Sequence, residues 1–75
     1  MKQGIYDILV DLILTGQDSF YRLAYSYLDN REDALDAVQN AVSRALGHYA
    51  ELRSEKAVKS WFYRILINEC LMLLK

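Results

Sequence analysis

The chain has 75 residues, enough for one small domain and too few for a second sizeable core. Apolar residues make up 53% and charged residues 25%, the balance of a folded globule and not of a disordered segment. The formal net charge of −1, taken as a sum, argues against a nucleic-acid binder.

The distribution of charge says more than its sum. Residues 1–43 carry three basic and seven acidic side chains, a balance of −4, whereas residues 44–75 carry six basic and three acidic ones, a balance of +3. An acidic half followed by a basic half points to two different partners. Proline is absent and there are only three glycines, which predicts helices joined by brief connections and excludes a turn-rich β fold. Cys70 is the single cysteine, so no internal disulfide can form. That fits a reducing, cytoplasmic setting and a thiol acting as a small buried hydrophobe. There is no signal peptide pattern and no apolar run near the ~20 residues of a membrane span, so no membrane partner is expected.

Along the chain, Ile5, Leu9, Leu12 and Ile13 recur at helical spacing and predict a first helix over 3–14. The segment "TGQDS" interrupts it, with Gly16 as a C-terminal stop and Asp18 as the N-cap of a second helix over about 19–28. Phe20, Leu23, Ala24, Tyr27 and Leu28 form the inner face of that second helix. "DNRED" reads as a turn and a helix start. Asn30 is the N-cap, and Glu32 and Asp33 sit where the helix dipole favours negative charge.

The third helix runs from 31 to about 47, where Gly47 ends it. Ala34, Leu35, Val38, Ala41, Val42, Ala45 and Leu46 fall on its inner side. Glu32, Asp36, Gln39, Asn40 and Ser43 fall on the other. "HYAELRSEKA" is mixed and non-periodic, hence a loop, with Ser54 as N-cap of a fourth helix reaching the chain end. Val58, Trp61, Phe62, Ile65 and Met72 share its inner face. Ser60, Arg64, Asn68 and Lys75 line one flank at spacings of four, four and seven. Glu69 falls in the phase of the apolar face, which is read as that face opening to solvent near the terminus.

Nothing in this pattern assembles an enzyme. His48 is the only histidine and stands far along the chain from Cys70, no His/Cys cluster has zinc spacing, and no glycine-rich loop could cradle phosphate. No cofactor or metal is expected. The acids from Asp29 to Asp36 are what capping and the helix dipole select.

"FYRLAYSYLDNREDALDAVQNAVSRAL", the loop, and "KSWFYRILINECLMLLK" together resemble region 2 of sigma-70-type transcription factors, most closely the extracytoplasmic-function (ECF) group. The resemblance covers residues from about 19 to 75 and, more loosely, the first helix. It rests on the order of elements, the D-x-x-Q in "DAVQN" and the tryptophan-to-asparagine spacing in "WFYRILIN". It implies an all-α bundle of three to four helices. It also implies a single region 2 domain over 1–75, without the second domain that reads the −35 element. The implied function is docking on the clamp helices of core RNA polymerase, recognition of the promoter −10 element, and capture of a flipped base from the single-stranded non-template strand as the duplex opens. An anti-sigma factor is a further partner that the resemblance admits.

Carried onto this chain, the family's polymerase-docking surface falls on Asp36, Gln39 and Asn40. By themselves these residues would read as a solvated polar face. Asn40 departs from the family, which often places an acid there. The family's specificity loop falls on 49–56, with Tyr49, Arg53 and Lys56 suited to stack on and hydrogen-bond a flipped base. Read without the resemblance, that segment is a plain connector. Asn68 matches the asparagine near the upstream part of the −10 element, where an amide can both donate and accept at a base edge. Arg64 and Lys59 are candidate phosphate contacts. Trp61 sits at the core edge beside this flank, with packing the main reading and contact with the opening duplex the other. The family usually ends this helix in a basic cluster, of which only Lys75 is present. The alternative function is a helical protein-interaction module that does not touch DNA.

Overall fold

The computed structural model describes residues 4–74. Among them are three α-helices and no strand: α1 (Ile5–Leu28), α2 (Arg31–His48) and α3 (Val58–Leu73). Two 3-10 turns, Tyr49–Glu51 and Glu55–Ala57, lie between α2 and α3. The all-α class read from the sequence is the one observed. Residue 3 of the predicted first helix and Lys75 of the predicted flank lie outside the described residues.

The predicted break at "TGQDS" does not exist. α1 is continuous through it, and the Thr15 hydroxyl donates to the Asp11 carbonyl one turn back at 2.8 Å. Gly16 serves packing. A Cβ at this position would stand 2.5 Å from Cζ of Phe20, so the missing side chain gives the Phe20 ring its place. That ring is fully buried and meets Phe62 at 4.7 Å and Tyr63 at 5.4 Å, centroid to centroid. Burial of such a ring is worth about 1.5–3 kcal/mol, more than the roughly 1 kcal/mol that a helical glycine costs against alanine. Asp18, read as an N-cap, is an exposed mid-helix residue.

"DNRED" behaves as read. α1 ends at Asp29, which takes the left-handed conformation (φ 49°) and donates its N–H to the Tyr25 carbonyl at 2.8 Å. Asn30 then caps α2, its side-chain oxygen accepting from the Asp33 N–H at 2.9 Å. A two-residue corner thus folds α2 back along α1.

The buried face of α2 is narrower than its apolar stripe. Ala34, Ala37, Ala41 and Ala45 are fully buried, while Val38 and Val42 are partly buried. Leu35 and Leu46, read as inner residues, are 45% and 39% exposed. Ala37 takes the inner place instead, because a row of methyl groups seats the helix close to its neighbours and leaves the larger flanking side chains outside.

Ser54 starts the second 3-10 turn, not α3. Its carbonyl accepts from the Ala57 N–H at 3.1 Å, its side chain makes no capping bond, and α3 begins at Val58. α3 buries Val58, Phe62, Ile65, Leu66, Glu69 and Cys70. Met72, read as inner, is 63% exposed, and Tyr27 of α1 is likewise on the surface. Cys70 is a buried free thiol as expected, and burial first, then the Glu69 charge, push its pKa up.

Candidate functional site

Two helix surfaces and the connection between α2 and α3 carry most of the residues singled out by the sequence. On α2, Asp36, Gln39 and Asn40 are all exposed. They do not face the same neighbour. Gln39 borders a half-open groove of about 780 Å³ between α1 and α2, whose floor and walls include Ile13, Tyr21, Leu35, Val38 and Leu46. Asn40 borders a polar hollow on the α3 side, together with Arg44, His48 and Glu69. Leu35 and Leu46 therefore belong to the α2 surface, which a strict inner-and-outer division of the helix hides.

On α3, Ser60, Arg64 and Asn68 stand one turn apart and are exposed, with Trp61 half-buried at their edge. The Ser60 hydroxyl donates back to the Ala57 carbonyl at 3.2 Å. Lys59 is exposed as well but lies elsewhere. Five residues at about 100° each put it roughly 140° around the helix from Arg64, so the two cations do not form one patch.

The 49–57 connection is only partly free. Tyr49 is half-buried, packs on the core, and meets Tyr6 of α1 at 5.2 Å between ring centroids. Leu52 also packs inward. Arg53 and Lys56 point to solvent. The His48 ring and the Glu51 carboxylate are joined at 2.8 Å across the end of α2. Two inward anchors thus hold a loop whose basic side chains, Arg53 and Lys56, are exposed.

Glu69 corrects the sequence reading. The end of that face does open to solvent at Met72, but Glu69 does not share in it: the residue is 6% exposed, and its Oε2 lies 3.2 Å from Nε of Arg44 on α2. The signal that could have shown this is an acid in the apolar phase of one helix with an arginine near the end of the preceding one. The described residues hold no cluster of His, Cys, Asp and Glu fit for a metal, and no helix is long and apolar enough to cross a membrane.

The described residues thus form three helices with an exposed polar and apolar ridge on α2 and an amide-and-cation flank on α3. Residues 12–75 match the model of the sigma-70 region 2 family, and the chain belongs to that family. It is therefore a transcription-factor domain and not an enzyme. The chain is also 40% identical over 74 residues to the RNA polymerase sigma factor SigV of Bacillus subtilis (strain 168), an alignment that covers 99% of this chain. The chain spans 45% of the length of that relative. No solved structure matches it.

Proposed function

We propose that the chain is the promoter-opening domain of an ECF-group sigma factor, docked by α2 on the clamp helices of core RNA polymerase. In this reading α3 and the loop before it recognise the non-template strand of the −10 element. The observation that carries it is the exposed row Ser60, Arg64 and Asn68 on α3, in a chain whose family match spans residues 12–75. The ECF assignment draws on the motifs of residues 19–75.

The division of labour follows from side-chain chemistry. The amide of Asn68 can donate to and accept from a base edge, which discriminates. Arg64 offers charge to phosphate, which positions the strand without reading it. Lys59, on another side of α3, would meet a different stretch of backbone. Arg53 and Lys56 face the strand from a loop pinned by Tyr49 and Leu52. With Tyr49 turned towards Tyr6, stacking on a flipped base falls to Trp61 or requires the loop to move. On α2, Gln39 and the groove beside it offer a polar rim over apolar walls, the composition of a protein interface, and Asp36 and Asn40 extend the rim. An anti-sigma protein would compete for the same groove.

Fluorescence anisotropy with labelled single-stranded −10 oligonucleotides, in the presence of core polymerase, tests this reading. Asn68→Ala is expected to lower discrimination at one base position by about 1–3 kcal/mol. Arg64→Ala is expected to weaken all sequences alike. Uniform loss from Asn68→Ala would make that residue structural. Indifference of the wild-type complex to the −10 strand would favour a helical protein-interaction module.

A further inference from the structure

Glu69 is the only buried charged residue among those described. Otherwise α2 and α3 bring only apolar groups to the core: four alanines from one, and Val58, Phe62, Ile65, Leu66 and Cys70 from the other. Apolar contact is non-directional, and an alanine surface offers few ridges to hold a facing helix in one rotation. The Arg44–Glu69 contact is directional and joins these two helices at 3.2 Å.

Its location matters for the proposed site. Arg44 lies one turn beyond Asn40 on the docking helix, and Glu69 is the neighbour of Asn68 on the reading helix. Asn40, Arg44 and Glu69 border one hollow, while Arg44, Glu69 and Asn68 border the next. Asn68 sits about 100° around α3 from Glu69. Any rotation of α3 that releases Glu69 to water therefore carries Asn68 away from its outward direction.

We infer that Arg44 and Glu69 are positioning residues: their ion pair sets the rotation of α3 against α2 and so holds Asn68 in register with the polymerase-docking face. This rests on the reading of Asn68 given above. Only the Glu69 end of this pair is buried, and even a fully buried ion pair is a weak source of stability that well-packed apolar replacements often match or exceed. What such a pair supplies here is a single allowed orientation.

The test separates orientation from stability. The double variant Arg44→Met with Glu69→Leu removes both charges and leaves no buried ion alone. In complex with core polymerase it is expected to keep the wild-type melting temperature or exceed it. Its preference for the correct −10 strand over one altered at the Asn68 position should fall about tenfold. Glu69→Gln keeps the shape and a hydrogen bond to the guanidinium, and should preserve most of the preference. Arg44→Lys alters a side chain that is 54% exposed, so it serves if the double variant does not fold. It keeps the charge without the fork of donors, and should reduce the preference while leaving melting nearly unchanged. A stable double variant, or Arg44→Lys, that discriminates as the wild type does overturns the inference alone. A wild-type complex that shows no preference overturns the reading of Asn68, and the inference with it.

Discussion

Helices α2 and α3 divide their side chains in opposite ways. α2 turns four alanines to the core and leaves Leu35 and Leu46 largely outside, beside Gln39. Over its first three turns α3 buries its bulk, in Phe62, Leu66 and Ile65, and leaves Ser60, Arg64 and Asn68 outside, while Leu71 and Met72 are exposed only near its end. The first surface has apolar area to bury against another protein. The second, along that row, offers a hydroxyl, a cation and an amide, which suit a charged polymer with polar base edges. One small core thus supports two surfaces of different chemistry, and what distinguishes them is whether large apolar residues stand beside the exposed polar row, as on α2, or beyond its end, as on α3.

The contrast breaks most completely at Phe20. This ring borders the groove beside α2 and also packs on Phe62 and Tyr63 of α3. Phe20→Ala is expected to cost about 3–5 kcal/mol, much of the stability of so small a domain. Urea denaturation followed by circular dichroism measures it, and both surfaces should be lost together. Retention of most of the wild-type stability would mean that the two surfaces are supported separately.

Two glycines sharpen the comparison at smaller scale. Gly16→Ala drives a methyl into the Phe20 ring, which the packing of Phe62 and Tyr63 keeps from moving aside. A loss of about 1–3 kcal/mol is expected despite the better helix propensity of alanine. Gly47→Ala, where nothing lies within 4 Å of the added methyl, should instead stabilise by up to about 1 kcal/mol. Melting temperatures of the two variants should move in opposite directions. A shift of the same sign in both would remove the packing role of Gly16.

The smallest effect on stability belongs to the α2 surface itself. Replacing Asp36 and Gln39 together by alanine should change unfolding free energy by under about 0.5 kcal/mol, since both are exposed. The same variant should bind core polymerase more weakly, as read by pull-down or anisotropy. Unaltered binding would leave α2 a solvated face.

The exposure of most candidate residues was legible in advance because its signals are local. The Asn30 cap depends on one side chain three residues from its donor. The exposed rows on α2 and α3 depend only on helical period. The groove was not legible, because Leu35 and Leu46 carry the same periodic signal as the buried residues and only the seating of α2 against α1 decides which edge of the stripe is covered. Lys59 and Arg64 looked alike as cations, and their separation follows from counting around the helix. The partner of Glu69 lies on another helix, beyond the reach of any local pattern.

The sequence by itself determined the class of fold, the corner at Asp29–Asn30, the extent of α2 and the outward rows, since each rests on propensity, capping or period within a few residues. The tertiary structure alone decided that Gly16 continues a helix, that Ala37 is inside while Leu35 is not, that Tyr49 packs against Tyr6, and that Glu69 is buried against Arg44. In each of these the local preference is weak or ambiguous, on the order of 1 kcal/mol or less, and contacts made across the bundle outweigh it.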